Sequence, residues 1–205
     1  NSSARRRSDM ADFPDSTIDR KTLLPQLFPN PENYLLLAGL AGTAKDSAAW
    51  TQEADNLITL GGAMGAAVSM GLGMALSAPD RQVAVMTGDG ELLMNAGVLA
   101  TVASVMPDNL TIVCVDNGQH GETGGQPGHT SRRTDLAKMA EGAGIPSVMT
   151  ISSPDEIPAA AKFLTDTPAP RFLCARVMPG APTVYKRNWD LAECRLIFKR
   201  AFSAR

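Results

Sequence analysis

The sequence predicts an α/β protein in which a doubly wound parallel sheet carries helices on both faces. Strand and helix patterns alternate over nearly all of the 205 residues. The strand segments are apolar, which is typical of strands covered on both faces. The helices between them are long enough to form right-handed crossover connections, and such connections join parallel strands. In sheets of this kind ligands bind at the carboxyl ends of the strands.

Local signals predict the first four elements. A helix is expected over Ile18–Phe28, because Asp19 suits a helix start and a proline follows the helix end. The short apolar run Tyr34–Leu37 predicts a strand. A second helix runs from Gly42 to about Gln52, and Leu57–Leu60 is predicted to be another short strand.

The next helix is rich in small residues. It follows the turn Gly61–Gly65 and ends before Pro79. Each glycine costs a helix about 1 kcal/mol relative to alanine, so this composition indicates close packing on a neighbouring backbone or a flat face for a bound ring. The apolar strand Gln82–Thr87 comes next, and Glu91–Met106 is predicted to be one helix with an apolar face.

The second half of the chain continues the alternation. A serine followed three positions later by a glutamate predicts a capping box at the start of its second helix. In order, we expect a strand Leu110–Val115, a glycine-rich loop Asp116–Arg133, a helix Asp135–Ala143, a strand Ser147–Ile151, a helix Ser153–Thr165, a strand Arg171–Val177 and a helix Leu191–Phe202.

Length and charge limit the organisation of the protein. A chain of 205 residues can bury one sizeable core, so we expect one domain over residues 18–205. Residues 1–17 are predicted to form a frayed polar tail, which includes the basic run Arg5–Arg7. The formal net charge of −2 gives no reason to expect nucleic acid as a partner.

Cysteine usage and hydropathy predict the compartment. The cysteines are odd in number, widely spaced and placed on predicted strands and a helix: Cys114, Cys174 and Cys194. This is typical of buried thiols in a reducing compartment. No apolar run approaches the roughly 20 residues of a membrane span, so we expect a cytoplasmic protein without membrane contact.

Polar residues follow two strands that are expected to be neighbours. Asp89 lies in a Gly-Asp-Gly turn after the first of these strands, and Asn117 comes 28 positions later, after the second. Gly118 lets the chain curl so that the backbone carbonyl of Gln119 can point inward. Mg²⁺ takes about six oxygen ligands, which three protein oxygens, two phosphate oxygens and a water can supply. We therefore predict a metal site at Asp89, Asn117 and Gln119 that neutralises a diphosphate.

The turn around Asp89 also suits the phosphates themselves. The amides of Gly90 and Glu91 begin the following helix, where unpaired donors and the helix dipole attract anions. Gly88 and Gly90 let the backbone approach a phosphate closely. Asp and Gly also suit ordinary turns, and Glu91 is an acidic first-turn residue that the dipole favours.

These motifs resemble the diphosphate-binding domain of thiamine diphosphate enzymes, whose signature is Gly-Asp-Gly followed some 25–30 residues later by Asn. The resemblance implies the thiamine diphosphate-binding fold, with thiamine diphosphate and Mg²⁺ as cofactors. It also implies that the carbonyl of Gly62 grips the aminopyrimidine ring and that Met64 bends the cofactor. By composition alone Met64 would be a core residue.

Among these enzymes the chain is most similar to the sulfopyruvate and phosphonopyruvate decarboxylases. Asp116–Gln126 resembles their Asp-Asn-x-x-His/Tyr-x-x-Thr-Gly-Gly-Gln loop, and the resemblance extends from about Tyr34 to Phe202. It implies cofactor contacts at Gly121 and a catalytic or substrate role for His120. Glu91 departs from the pattern, because the family usually has Ser or Ala there.

The resemblance implies the diphosphate-binding subunit of a split 2-oxo acid decarboxylase, a carboxy-lyase. In the family an activating glutamate lies in a separate pyrimidine-binding domain, and the roughly 60 residues before Gly61 are too few to build one. We therefore expect a partner chain, in a hetero-oligomer, to supply that glutamate. Donors for a sulfonate or phosphonate on the substrate are expected among cationic side chains: His120, Arg132, Arg133, Lys186 and Arg187.

Three alternatives stay open from the residues. A carboligase subunit of the acetolactate synthase kind shares the cofactor motif. A regulatory or assembly subunit would bind the cofactor without catalysis, although intact Asp89, Asn117 and Met64 argue against a decayed site. A nicotinamide-binding protein is disfavoured, because no Gly-x-Gly-x-x-Gly follows the first strand.

Overall fold

The computed structural model describes residues 16–203, and the predicted tail lies outside this range except for Ser16 and Thr17. The strands are β1 (Tyr34–Ala38), β2 (Leu57–Thr59), β3 (Gln82–Gly88), β4 (Leu110–Asp116), β5 (Gln119–His120), β6 (Gln126–Pro127), β7 (Ser147–Ile151) and β8 (Arg171–Arg176). The helices are α1 (Arg20–Leu27), α2 (Ala41–Thr51), α3 (Ala67–Ser77), α4 (Asp89–Leu93), α5 (Val98–Val105), α6 (Leu136–Ala143), α7 (Ile157–Asp166) and α8 (Leu191–Ser203). None of these helices has the length and apolar character needed to cross a membrane.

The main sheet has six parallel strands in the order β2-β1-β3-β4-β8-β7. The chain moves outward in one direction from β1 to β2 and in the other from β3 to β4, which makes the β1–β3 crevice the switch point where such sheets bind ligands. The predicted doubly wound fold is confirmed.

Each face of the sheet has its own apolar core. Leu35 and Leu37 point to the face covered by α3, α5, α6 and α8. Leu36 and Ala38, the intervening residues of β1, point to the face covered by α1, α2 and α7. This alternation follows from the two-residue period of a strand, and it explains why the strands are apolar throughout.

Close backbone packing accounts for one of the helix glycines. A side chain at Gly71 in α3 would overlap Val85 of β3, so this glycine lets α3 lie close to the sheet. Gly73 differs, since a Cβ there would meet nothing within 4 Å. The prediction of close packing therefore holds at Gly71.

The predicted helix Glu91–Met106 is wrong in its continuity. The structure has two helices, α4 and α5, separated by residues 94–97. Within this break the Asn95 side-chain amide donates hydrogen bonds to the Gly65 carbonyl at 3.2 Å and to Ser69 Oγ at 3.1 Å. The backbone of the break makes turn-type bonds between residues three apart, such as Met94 N–H to the Glu91 carbonyl, in place of the bonds of a regular helix.

Other boundaries differ by a few residues. The predicted loop Asp116–Arg133 contains the short antiparallel pair β5–β6 and a 3₁₀ turn over Gly121–Thr123. The helix predicted from Ile18 begins at Arg20, because Asp19 caps it by accepting a hydrogen bond from the Lys21 amide. The predicted capping box at Ser153 and Glu156 is confirmed, although the first turn after it is 3₁₀.

A segment without regular structure, residues 177–190, connects β8 to α8 and is called the strap here. Its Thr183 amide donates to Asp46 of α2 at 2.8 Å, and its Asn188 amide donates to Glu53 at 2.8 Å. The strap thus runs beside α2 and leads to α8, which contacts β2. Leu191 at the start of α8 lies against Gly61.

Candidate cofactor and metal site

Two buried aspartates lie side by side at the carboxyl edge of the sheet. Gly88 pairs with Val115 in the parallel register, so the next residues, Asp89 and Asp116, are neighbours. Their side chains are only 4% and 2% exposed. The structure therefore places a pair of carboxylates next to the β1–β3 switch point.

One hydroxyl group connects this carboxylate pair. Thr130 Oγ1 lies 2.7 Å from Asp116 Oδ1 and 3.2 Å from Asp89 Oδ2. Asp116 Oδ1 also accepts a hydrogen bond from the Gly118 amide at 3.0 Å. Both carboxylates are thus held by short polar contacts within the loop that follows β4.

Burial makes the charge on both carboxylates costly. Burial, with a further contribution from the neighbouring Asp89 charge, raises the pKa of Asp116 from 3.8 to about 6, against a smaller lowering by Thr130, Gly118 and Arg176. Burial also raises the pKa of Asp89, although Thr130 and the backbone amides of Gly90 and Asn117 oppose the shift. A bound cation would stabilise the ionised form of both groups.

The predicted ligands Asn117 and Gln119 lie on the same edge, in the turn after β4. Asn117 Oδ1 accepts a hydrogen bond from the Gln119 amide at 3.1 Å, which closes the turn. Gly118 adopts the left-handed region with φ of 65°, as the predicted curl requires. The turn therefore lies beside Asp89, whose carboxylate interacts with the Asn117 backbone amide.

The Glu91 carboxylate is directed toward the end of β1. Its Oε2 accepts hydrogen bonds from the Leu40 amide at 3.1 Å and from Thr87 Oγ1 at 3.2 Å. A side chain at Gly39 would overlap this carboxylate, and burial raises the Glu91 pKa. Glu91 thus fastens the ends of β1 and β3 together, which explains the local charge that the motif left without a role.

The predicted ring-binding turn is open. Met64 is 47% exposed, and a Cβ atom at Gly62 or at Gly88 would meet nothing within 4 Å. Met94 is 63% exposed, and its Cβ lies close to Gly65. The structure therefore leaves an apolar surface and free space at this turn. A methionine in the core would instead be enclosed by its neighbours.

Residues 40–174 match the family described as "Thiamine pyrophosphate enzyme, C-terminal TPP binding domain". The chain belongs to this family. Membership confirms the recognition made from the motifs and the expected thiamine diphosphate cofactor.

Three curated relatives carry decarboxylase names. The chain is 44% identical over 91 residues to sulfopyruvate decarboxylase subunit beta of Methanocaldococcus jannaschii, which covers 44% of this chain and 48% of that protein. It is 41% identical over 120 residues to phosphonopyruvate decarboxylase of Streptomyces hygroscopicus, covering 58% of this chain and 29% of the relative. A further sulfopyruvate decarboxylase subunit beta, from Methanococcus maripaludis, is 34% identical, covering 68% of this chain and 74% of the relative. The match thus spans about half the length of the first relative.

A solved structure has the same fold. A putative thiamin diphosphate-dependent enzyme from Mycobacterium smegmatis superposes with a TM-score of 0.65 at 20% identity, over 82% of this chain and 34% of that one. At this identity the likeness concerns the fold alone. It supports the α/β fold described above.

His120 lies directly over the predicted phosphate turn. A Cβ atom at Gly90 would be 3.3 Å from His120 Nδ1, so a glycine at this position leaves room for the ring. The His120 ring packs edge to face on His129 with centroids 6.5 Å apart, and both side chains are exposed. Gly121 is exposed, and a Cβ atom there would be 4.0 Å from Asn117 Nδ2.

The cationic candidates for substrate binding are dispersed. Arg187 is only 6% exposed; its Nη2 donates to the Leu60 carbonyl at 3.4 Å, and its guanidinium lies 4.4 Å from the Trp189 ring centroid. Arg132 and Arg133 are exposed and follow Thr130 in the chain. Arg187 thus supports the strand end before the ring-binding turn. The sequence had indicated Arg187 as a candidate substrate contact.

Sequence reasoning missed Asp116 and Thr130 as members of the site. Asp116 was recognised only as the first residue of the predicted loop and its Asp-Asn motif, although the parallel register places it beside Asp89. Thr130 lies at the far end of the glycine-rich loop, 41 positions after Asp89. Neither spacing nor residue type indicates that the loop returns to Asp89. Asp116, by contrast, could have been found from the parallel register of the two strands.

Proposed function

We propose that this chain is the diphosphate-binding subunit of a split thiamine diphosphate-dependent 2-oxo acid decarboxylase, with 3-sulfo- or 3-phosphono-2-oxo acids as the substrate class. The observation that carries the proposal is the placement of the buried Asp89 carboxylate at the switch point, in a chain whose ring-binding turn around Met64 is open. The names of the relatives support the reaction class.

The residues present fit a divalent cation. Asp89 and Asp116 together place two buried carboxylates side by side, and their nearest partners are a hydroxyl and backbone amides. Hard oxygen donors of this kind suit Mg²⁺ better than a softer metal. Asp89, the Asn117 side chain and the Gln119 carbonyl would hold the ion, which in turn would anchor the diphosphate.

The residues present also fit the organic part of the cofactor. The Gly62 carbonyl and the exposed Met64 side chain would contact the rings, and Gly88, Gly90, Glu91 and Gly121 would leave backbone groups near the phosphates. When bound, thiamine diphosphate supplies the carbon nucleophile and the electron sink that decarboxylation of a 2-oxo acid requires. The chain's own part is to orient the cofactor, neutralise its phosphates and place His120 beside the phosphate turn.

A partner chain is part of the proposal, because proton transfer at the aminopyrimidine needs a carboxylate that we assign to a pyrimidine-binding subunit. Glu91 is the buried glutamate nearest the site in sequence, but its Oε2 is engaged by Leu40 and Thr87. The exposed apolar side chains of Met64 and Met94 offer a surface for that subunit. Free buried Cys114 and Cys174 suit the reducing cytoplasm.

Reconstitution tests the proposal. The chain would be produced with a pyrimidine-binding subunit of the sulfopyruvate decarboxylase kind, and carbon dioxide release would be followed with sulfopyruvate, phosphonopyruvate and pyruvate in the presence of thiamine diphosphate and Mg²⁺. We expect release only from the complex, and none from a complex that carries Asp89→Ala. Full activity of the chain alone contradicts the split enzyme. Condensation products in place of carbon dioxide and aldehyde would indicate the carboligase, and cofactor binding without turnover would indicate a regulatory subunit.

A further inference from the structure

The loop after β4 leaves the sheet edge and then comes back to it. Its returning arm, defined here as Gln126–Thr130, begins at the exposed Gln126 and ends at Thr130, which is only 6% exposed. The Gly128 amide donates to the Gly118 carbonyl at 2.6 Å, which joins the two ends of the loop. A loop confined to the surface would not bury its end, so the burial of Thr130 needs an explanation.

The returning arm lies directly on the carboxylate proposed to bind metal. A Cβ atom at Gly128 would be 3.2 Å from Asp89 Oδ2 and 3.1 Å from the Gly118 carbonyl, so a larger residue would push the arm away. Thr130 Oγ1 contacts both Asp116 and Asp89. The arm is thus attached through one hydroxyl to the carboxylate pair.

A single hydroxyl proton cannot serve both acceptors at once. The shorter distance, 2.7 Å, indicates that Thr130 donates mainly to Asp116, and the 3.2 Å contact leaves Asp89 Oδ2 as the less fully satisfied acceptor. A cation held by Asp89 would neutralise that carboxylate and remove its repulsion of Asp116, to which Thr130 is bonded. Closure of the arm and occupation of Asp89 would then favour each other, as linked equilibria must.

We infer that Asp116 and Thr130 are positioning residues that form a latch, which holds the returning arm on Asp89 and couples cation binding to closure of the loop. The inference rests on the metal role proposed for Asp89. The loop between the two ends carries Gln119 and His120, so the latch would set the position of both. Asp116 and Thr130 act through these residues and do not touch the substrate themselves.

Trypsin cleavage of the full chain tests the latch without turnover. Arg132 and Arg133 are exposed cleavage sites just beyond Thr130, and their cleavage reports how often the arm opens. We expect Thr130→Val, which keeps the shape but loses the hydroxyl, to increase cleavage there about tenfold, the effect of one hydrogen bond to a charged group. Thr130→Ser should stay within about twofold of the wild type. Equal cleavage in the valine and serine variants overturns the latch.

Mn²⁺, a paramagnetic substitute for Mg²⁺, tests the coupling. We expect Mn²⁺ to slow cleavage at Arg132 and Arg133 in the wild type and in Thr130→Ser, but not in Thr130→Val. Equal protection of all three chains, or no protection of a wild type that has bound Mn²⁺, overturns the coupling.

Mn²⁺ uptake, measured separately by electron paramagnetic resonance, distinguishes the two proposals. Loss of uptake in Asp89→Ala supports the metal site whatever the loop does. Uptake by Asp89→Ala equal to that of the wild type contradicts the metal assignment, and a wild type that takes up no Mn²⁺ contradicts both proposals.

Discussion

Asp46 and Asp89 are buried to nearly the same degree, with 6% and 4% exposure, but their surroundings differ. Asp46 Oδ2 lies 2.7 Å from Arg20 Nε, and its other oxygen accepts the Thr183 amide at 2.8 Å. Asp89 instead lies beside a second carboxylate, Asp116, and shares the Thr130 hydroxyl with it. One buried aspartate has a cation from the chain itself, and the other has a second anion.

This difference separates a structural charge from a functional one. The Arg20–Asp46 pair connects α1, α2 and the strap, and each charged group has a partner. Burial raises the pKa of both aspartates at the sheet edge, and the Asp89 charge adds to the shift of Asp116 against only a smaller lowering by Arg176. Such an arrangement costs folding free energy, so its presence beside the switch point supports the cation site proposed above.

The largest expected effect comes from breaking the compensated pair. Arg20→Met leaves Asp46 buried without its cation and should lower the free energy of unfolding by about 3–5 kcal/mol. Urea denaturation of the metal-free chain measures this change. Adding Asp46→Asn, which keeps an acceptor for the Thr183 amide, should restore most of the loss. A double variant no more stable than Arg20→Met would show that charge compensation is not what this pair provides.

Removing charge from the Asp89–Asp116 pair should have the opposite effect, a rise in the free energy of unfolding. Asp116→Asn keeps an acceptor for Gly118 and Thr130 but removes a carboxylate whose pKa is raised from 3.8 to about 6. We expect the metal-free variant to be more stable than the wild type at pH 7, by up to about 3 kcal/mol. A less stable Asp116→Asn at pH 7 would contradict the interpretation of the site.

The pH dependence of that difference follows from proton binding. Because the folded pKa of Asp116 is raised, the folded wild type binds more protons than the unfolded chain between pH 4 and 6. The stability contributed by this group therefore falls as pH rises through that window. The advantage of Asp116→Asn should be largest at pH 7 and disappear toward pH 4. Saturating Mg²⁺ should reduce it at pH 7.

Local motifs account for what could be predicted. Asp89 and Asn117 were identified because each directly follows an apolar strand, and neighbouring parallel strands end at one edge. The strand boundaries follow from apolar runs, and most agree within one residue; β4, for example, ends at Asp116 where Val115 was expected. Gly62 and Met64 were identified by resemblance, against a composition that favours the core.

Tertiary contacts account for what could not be predicted. Thr130 reaches Asp89 through a loop whose path depends on the Gly118 and Gly128 backbones. At the break between α4 and α5, Asn95 bonds to Gly65, 30 positions earlier. In each case the local sequence is compatible with the predicted element, and a distant partner overrides the preference.

Glu91 is another buried carboxylate and lies between the extremes of Asp46 and Asp89, since amide and hydroxyl donors bind one of its oxygens. Gly39→Ala would displace it from the Leu40 amide and Thr87, with an expected loss of about 2 kcal/mol in the free energy of unfolding. In a Glu91→Ala background the same alanine should cost little. Equal costs in the two backgrounds would rule out the Glu91 carboxylate as the reason for the glycine.

The smallest effect is expected where the same kind of ion pair is exposed. Lys45 Nζ lies 3.5 Å from Glu122 Oε1, but the side chains are 38% and 56% exposed. Because water and salt screen this pair, Lys45→Met should change the free energy of unfolding by no more than about 0.5 kcal/mol, and by less in 0.5 M salt. Urea denaturation at low and high salt measures both values. A loss comparable to that of Arg20→Met would mean that exclusion of water does not distinguish the Arg20–Asp46 pair from the exposed pair. The contrast between the buried aspartates would then need another cause.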